Sequence, residues 1–336
     1  LHNKLRVQVA GSYENEVLAV GALVSALRDI AAHASAHHTL ELDVHTASGL
    51  TSVLCTGMNN VYRDVQSVVA RLSARGGRPP PAARRTALLI NCHFDTVPDS
   101  PGASDDGAGC AVALETLRAL CAHPAPHAHD VILLLNGAEE NIMQASHAFI
   151  TTHKWAPSVR AFINIEACGA GGREVLFQAG PHDPWIMEVY AASVPHPFAS
   201  SLAQEMFESG AIPADTDFRV FRDFGNLSGV DLAWSANGYV YHTRLDTAAR
   251  APPAALQRTG DNVLALAKGT TCFDWEPKYK ANPLQLLTDI GIGTPKNLGN
   301  DTHDDLFPES DVRHLEFQNG CHFRNRHPQK PKKRHP

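Results

Sequence analysis

The sequence lacks any uninterrupted run of apolar residues as long as the ~18 that a membrane-spanning helix needs. It also lacks an excess of positive charge. The formal net charge is −6 with the histidines neutral, which argues against nucleic acid as the main partner. Its seven cysteines include no Cys-x-x-Cys pair. An odd number of cysteines without a framework spacing leaves at least one thiol unpaired or joined to another chain, and it does not settle the redox compartment.

The composition is that of a folded domain, because 43% of the 336 residues are hydrophobic and only 19% are charged. This length suffices for one large α/β domain or two modest ones. Helical and strand periodicity stops near residue 271, and the last residues form a basic run. We therefore predict a folded domain over 1–271 and an unassigned, disordered tail over 272–336. The start at Leu1 rather than Met, with no signal-peptide pattern, suggests that residues precede it.

Short apolar stretches alternate with helical patterns along the predicted domain. The stretches with strand character are 87–90, 130–136, 160–166, 174–178, 230–233 and 239–241. Four consecutive large apolar residues in the second stretch are typical of a strand covered on both faces. Repetition of strand, loop and helix predicts an α/β fold, a doubly wound and mostly parallel sheet with helices on both faces. Residues 212–224, which include Asp215 and Asp217, are predicted to be a loop.

Polar side chains follow the predicted strands. His93 and Asp95 come after the first, Glu139 and Glu140 after the second, and Glu166 ends the third. A further His242 follows the last predicted strand, and the pair Asp105 and Asp106 precedes a helix. Carboxyl ends of parallel strands meet at one edge of a sheet, so these side chains are candidates for one site. Each motif alone is usually structural: Asp-Asp-Gly, for example, is a common helix N-cap.

Taken together and in this order, the His-x-Asp motif at 93–95, the Asp-Asp-Gly motif at 105–107 and the Glu-Glu pair at 139–140 resemble the zinc peptidases of family M28. The similarity is strongest to the endoplasmic-reticulum metallopeptidase branch of that family and extends from about residue 11 to about residue 266. The resemblance implies a zinc-exopeptidase fold.

The resemblance also implies two zinc ions per chain, held by five residues. Asp105 would bridge the ions, since one carboxylate offers two oxygens. His93 and Glu166 would complete one site, and Glu140 and His242 the other. The family usually has Asp where this chain has Glu166, which is one methylene longer, so this ligand departs from the common pattern.

Three catalytic roles follow from the same resemblance. Glu139 would be the general base that removes a proton from the attacking water. Asp95 would accept the ring N–H of His93 and fix its tautomer. Tyr241 would donate a hydrogen bond to the oxyanion of the tetrahedral intermediate. Asp246 would support the site indirectly or cap a helix.

The implied function is hydrolysis of peptide bonds by a dinuclear zinc aminopeptidase, with peptides as substrates. The implied location is the endoplasmic reticulum membrane, with the catalytic domain in the lumen and the membrane reached through segments that this chain does not contain. The sequons at Asn226 and Asn300 are weak support for a glycoprotein in that setting. Two alternatives stay open: a single-zinc transferase similar to glutaminyl cyclases, and a non-catalytic ectodomain that only binds a partner.

Overall fold

The computed structural model describes residues 8–52, 59–75, 86–212 and 214–271. The predicted tail 272–336 and the sequon at Asn300 lie outside the described residues. We number the elements in chain order. The strands are β1 (His38–Thr51), β2 (Asn60–Ala74), β3 (Ala87–His93), β4 (Asp130–Asn136), β5 (Val159–Ala167), β6 (Glu174–Gly180) and β7 (Ser228–Trp234). The helices are α1 (Val20–Ala32), α2 (Gly107–Cys121), α3 (Gln144–Thr152), α4 (Trp185–Ser193), α5 (Leu202–Glu208), α6 (Asp217–Asp223) and α7 (Pro253–Thr271).

All seven strands form one sheet, in the order β1-β2-β4-β3-β5-β7-β6. The central strands β4, β3, β5 and β7 are parallel neighbours, whereas β1 pairs antiparallel with β2, β2 with β4, and β6 with β7. Five of the seven strands therefore point the same way. Every residue of β3 and of β7 is buried, as expected for parallel strands covered on both faces. The predicted doubly wound, mostly parallel α/β fold is confirmed.

Six of the seven described α-helices form two groups by their main contacts, and the seventh, α5, packs on β6. In one group α2 contacts both α1 and α7, and α7 also contacts α4. In the other group α3 contacts α6, and α6 lies against β5 and β7. Aromatic rings fill the core beneath this second group. Phe162 of β5 meets Phe218 and Phe221 of α6, with ring centroids 5.2 Å apart in both pairs.

The predicted loop over 212–224 is wrong in its second half, which forms α6. Asp215 and Thr216 have the composition of a turn, and this local signal hid the apolar spacing that follows. Phe218 and Phe221 are three residues apart and both fully buried, so tertiary packing stabilises a helix of only seven residues.

The predicted strand over 239–241 is also wrong, because Gly238–Val240 is a 3₁₀ turn. Asn237 adopts a left-handed backbone conformation with φ of 55°, which reverses the chain ahead of this segment. The backbone N–H groups of Val240 and Tyr241 then donate to the carbonyls of Asn237 and Gly238. These local bonds use the groups that a strand would offer to a neighbour.

Among the described residues, no helix combines the length and the hydropathy required to cross a bilayer. The longest helix, α7, has 19 residues and carries charged side chains along one face.

We predict that Phe162→Ala lowers the free energy of unfolding by about 3–5 kcal/mol, because it removes a fully buried ring and leaves a cavity between β5 and α6. Urea unfolding followed by circular dichroism measures the change. The matched control is Val61→Ala, at a side chain that is 75% exposed, and its effect should stay within about 0.5 kcal/mol. Equal effects of the two variants would contradict the packing described for α6.

Candidate active site

The predicted site residues meet at the carboxyl edge of the sheet. His93 is the last residue of β3, and Glu166 is the last but one of β5. Glu139 and Glu140 follow β4 after the tight turn at Gly137, where a Cβ atom would approach the carbonyl oxygen of Gln66 to 2.3 Å. Two further residues come from outside the strands. Asp105 precedes α2, and His242 follows the 3₁₀ turn with a left-handed φ of 58°.

The ligand candidates form two groups that share Asp105. In the first group, Nε2 of His93 lies 3.2 Å from Oδ1 of Asp105 and 3.4 Å from Oε2 of Glu166. In the second, Nε2 of His242 lies 3.0 Å from Oδ2 of Asp105 and 3.2 Å from Oε2 of Glu140. The two oxygens of Asp105 thus serve different groups, which is the arrangement that a bridging carboxylate requires.

The spacing of these donors fits zinc. Zn–N and Zn–O bonds are about 2.0–2.2 Å long, so two ligand atoms at a tetrahedral zinc lie about 3.3–3.6 Å apart. The four measured separations, from 3.0 to 3.4 Å, lie close to that range. Imidazole nitrogen and carboxylate oxygen are also the donors that catalytic zinc sites use. The site's residues therefore suit a zinc pair in both geometry and chemistry.

Backbone contacts hold the shared carboxylate in place. The carboxylate of Asp246 accepts hydrogen bonds from the Ser104 N–H at 2.9 Å, from the Ser104 hydroxyl at 2.5 Å and from the Asp105 N–H at 3.1 Å. Asp106 caps α2, because its Oδ1 accepts the N–H of Gly109 at 3.0 Å. Of the two roles predicted for Asp246, the structure favours support of the site over a helix cap.

Asp95 makes different contacts from those expected. Its carboxylate accepts the backbone N–H groups of Glu139 at 3.0 Å and of Glu140 at 3.1 Å. Nδ1 of His93 lies closer to the backbone oxygen of Asp95, at 3.0 Å, than to its carboxylate, at 3.5 Å. Asp95 therefore links the segment that follows β4 to the end of β3, while its carbonyl orients the imidazole.

The electrostatics reflect many carboxylates in a small buried volume. Burial raises the pKa of Glu139, and the negative charge of Glu166 raises it further. Burial likewise raises the pKa of Glu166, to about 7. Burial opposes the protonation of His93, but the surrounding carboxylates outweigh it and raise the pKa of this imidazole. Such mutual repulsion is relieved by a bound cation, which favours the charged carboxylates and the neutral imidazoles.

A cavity of about 660 Å³ is lined by Tyr241 and by every residue of the two ligand groups except His93. The Tyr241 ring stacks on the His242 imidazole with centroids 3.7 Å apart, and the residue is 38% exposed. Much of the remaining lining is apolar, and it includes Ile142, Phe177 and Phe207. Of the eight residues predicted for the site, six line this cavity. His93 is buried but contacts Asp105 and Glu166 of the lining, and Asp95 is buried next to His93.

Sequence reasoning missed a buried polar network under the site. Asn164 of β5 donates to Oε1 of Glu166 at 3.3 Å and to Asp231 of β7 at 3.0 Å. Asn91 of β3 donates to the Asn164 oxygen at 2.7 Å and to Asp217 of α6 at 2.8 Å. One sequence feature could have indicated this network: β3 and β5 each carry an asparagine among mostly apolar residues. A buried side-chain amide needs hydrogen-bond partners, so polar neighbours were to be expected.

A family model described as Peptidase family M28 matches residues 68–267. This chain belongs to peptidase family M28. It is 49% identical to endoplasmic reticulum metallopeptidase 1 of Mus musculus over 80% of this chain and 29% of that protein. It is 44% identical to the Homo sapiens protein of the same name over 87% of this chain and 32% of that protein. The chain thus spans about a third of the length of these curated relatives.

Solved structures show where else this M28 fold occurs. The Legionella pneumophila LapA aminopeptidase aligns with a TM-score of 0.60 at 14% identity, covering 80% of this chain and 69% of that one. The Bacillus subtilis zinc aminopeptidase BSAP aligns with a TM-score of 0.55 at 13% identity, covering 79% and 91%. A Fimbriiglobus ruber glutaminyl cyclase aligns with a TM-score of 0.54 at 14% identity, covering 80% and 91%. At these identities the likeness shows the fold alone.

We predict that Asp246→Ala weakens zinc binding by this M28 domain about 10- to 100-fold, because the backbone around Asp105 loses its acceptor. Competition with a chromogenic chelator measures the affinity, and far-ultraviolet circular dichroism verifies that the variant is folded. Asp261→Ala, on the exposed side of α7, is the matched control and should bind zinc like the parent. A folded Asp246→Ala variant with parental affinity would refute this supporting role.

Proposed function

We propose that this chain is the catalytic domain of a zinc aminopeptidase that holds two zinc ions and removes residues from the amino termini of peptides. The observation that carries the proposal is the division of five side-chain donors into two groups around one shared carboxylate, that of Asp105. Membership of family M28 supports peptide hydrolysis as the reaction.

In the proposed site, His93, Glu166 and Asp105 would hold the first ion. His242, Glu140 and the shared Asp105 would hold the second. A bound zinc pair supplies Lewis acidity, which lowers the pKa of a water molecule and polarises a peptide carbonyl. The longer side chain of Glu166 fits this scheme, because its Oε2 lies 3.4 Å from the His93 nitrogen while Asn164 donates to its Oε1.

Glu139 is the proposed general base. Its backbone N–H is fixed by the Asp95 carboxylate, and its side chain lines the cavity beside both ligand groups. In that position the carboxylate accepts a proton from the water that attacks the peptide carbonyl, and the resulting acid returns the proton to the leaving amine. The hydroxyl of Tyr241 donates to the oxyanion that forms in between.

The cavity supports an exopeptidase. Its volume of about 660 Å³ matches a small-molecule pocket, so it accommodates one or two residues rather than a long peptide. The apolar walls formed by Ile142, Phe177 and Phe207 favour a substrate whose first side chain is apolar.

We also propose a setting in the endoplasmic reticulum membrane, with this domain in the lumen. The relatives named endoplasmic reticulum metallopeptidase 1 support this location. Asn226, in the first sequon, is exposed and available for glycosylation. Attachment to the membrane would come from segments outside the described residues.

We expect Glu139→Gln to lower kcat on aminoacyl nitroanilides by about 10²- to 10⁴-fold, because the amide cannot accept the proton. Zinc content, measured by mass spectrometry of the metal, should equal that of the parent. Glu41→Gln, at an exposed position on β1, is the matched control and should be fully active.

Each alternative result would lead to a different conclusion about the function. Equal activity of the parent and Glu139→Gln would remove Glu139 from the role of base. A parent that leaves peptides intact but releases ammonia from peptides with amino-terminal glutamine would be a cyclase. A zinc-loaded parent that turns over none of these substrates would favour the non-catalytic binding domain.

We predict that the parent binds two zinc ions and that His93→Ala and His242→Ala each bind one, since each variant removes a ligand of a different group. Equilibrium dialysis with zinc determines the number bound per chain. His33→Ala, at an exposed position after α1, should retain two. A parent that saturates with one zinc would overturn the dinuclear proposal.

A further inference from the structure

Asn15 connects the amino-terminal segment to the turn that carries the proposed base. It lies in the π-helical turn Glu14–Ala19, which leads into α1, and the residue is fully buried. Its Nδ2 donates at 2.8 Å to the backbone carbonyl of Gly137, which lies 122 positions later in the chain. Gly137 precedes Glu139 by two residues. None of the roles described above uses Asn15.

The neighbours of this side chain fix the orientation of its amide. Nδ2 also lies 3.2 Å from Oε1 of Glu16, and the same oxygen accepts the backbone N–H of Gly11 at 2.9 Å. A carbonyl oxygen and a carboxylate oxygen are both acceptors, so only the NH₂ side of the amide suits this place. The backbone N–H of Asn15 donates to the Ser12 hydroxyl at 3.2 Å. Backbone and side chain of Asn15 are therefore both held.

Contacts of the preceding residues keep this segment against the edge of the sheet. The N–H of Gln8 donates to the Thr96 hydroxyl, and the N–H of Thr96 donates to the Gln8 carbonyl, each at 3.1 Å. Ala10 packs against a buried cluster that includes Ala138. The Asn15 amide therefore extends from a segment that is itself fixed.

The backbone of Glu139 has two direct partners. Its N–H donates to the Asp95 carboxylate, and its carbonyl accepts the N–H of Met143 at 2.7 Å. The path from β4 to this residue is held two positions earlier, where the buried Gly137 carbonyl accepts the Asn15 amide. Loss of that donor would leave a buried carbonyl unpaired, which is costly enough to shift the turn.

We infer that Asn15 is a positioning residue for the general base Glu139. By holding the Gly137 carbonyl, it sets the path of the backbone into Glu139 and hence the place from which the carboxylate meets the attacking water. A misplacement of about 1 Å can cost a reaction about 10²-fold in rate. The inference rests on the proposed function, because it assigns Asn15 to the base of that reaction.

Asn15→Asp tests this role, since a carboxylate has the size of the amide but lacks its N–H donors. We expect kcat on aminoacyl nitroanilides to fall about 10- to 100-fold, because the base is displaced. KM and the zinc content should stay close to those of the parent, since neither the cavity walls nor a ligand is changed. Asn15→Ala, which removes the donors without adding a charge, should lower kcat in the same way.

The matched control for Asn15→Ala is Asn262→Ala. Asn262 is also a buried asparagine that donates to a backbone carbonyl, that of His196 at 3.0 Å, but it lies on α7. Both variants should lower the Tm, because each loses a buried hydrogen bond. Only the variant at Asn15 should lower kcat.

The double variant Asn15→Asp/Glu139→Gln separates positioning of the base from general damage to the fold. If Asn15 acts through Glu139, its replacement costs nothing further once the base is absent. The kcat of the double variant should then equal that of Glu139→Gln alone, whereas independent effects would multiply.

Two results would overturn the inference and leave the proposed function intact. The first is parental kcat in folded Asn15→Asp and Asn15→Ala, while Glu139→Gln is impaired. The second is a double variant whose loss of kcat is the product of the two single losses. A parent without activity, or a Glu139→Gln variant with parental activity, would instead overturn the proposed function, and the role of Asn15 with it.

Discussion

The repulsion among carboxylates at one edge of the sheet is the constraint on which the rest of the structure depends. Asp105, Glu139, Glu140 and Glu166 line one cavity, and burial combined with neighbouring charge raises the pKa of three of them, Glu139, Glu140 and Glu166. Charges of one sign in a partly dry site are costly unless cations compensate them. Two imidazoles interleaved with the carboxylates at 3.0–3.4 Å complete the donor set that zinc requires.

The surrounding structure keeps these side chains from moving apart. Asp95 and Asp246 belong to neither ligand group. The carboxylate of each accepts hydrogen bonds from backbone N–H groups of ligand residues or their neighbours. The asparagines of β3 and β5 form a second layer, in which Asn164 contacts Glu166 and Asn91 contacts Asp217. These asparagines belong to β3 and β5, in which every residue except Arg160 is buried, so the fold supplies the rigidity that a metal centre needs.

Much of this arrangement could be predicted from the sequence. Apolar runs predicted β4 at its observed bounds, and the acidic and imidazole residues predicted after the strands lie close together at one edge of the sheet. The strand predicted before His242 was wrong because the chain reverses at Asn237. This reversal depends on a left-handed backbone conformation, which residue types favour only weakly. The loop predicted over 212–224 was wrong because the stability of α6 comes from the packing of Phe218 and Phe221 on Phe162, which is about 60 residues away in the chain.

The sequence by itself determined the donors, their order and their positions at strand ends, because these are local properties of chemistry and periodicity. Only the tertiary structure decided that the Asp95 carboxylate serves Glu139 and Glu140, that Asn91 reaches Asp217, and that the thiols of Cys92 and Cys110 touch. These contacts join residues 18 to 126 positions apart. Strand order and helix packing set such distances, and no local pattern encodes them.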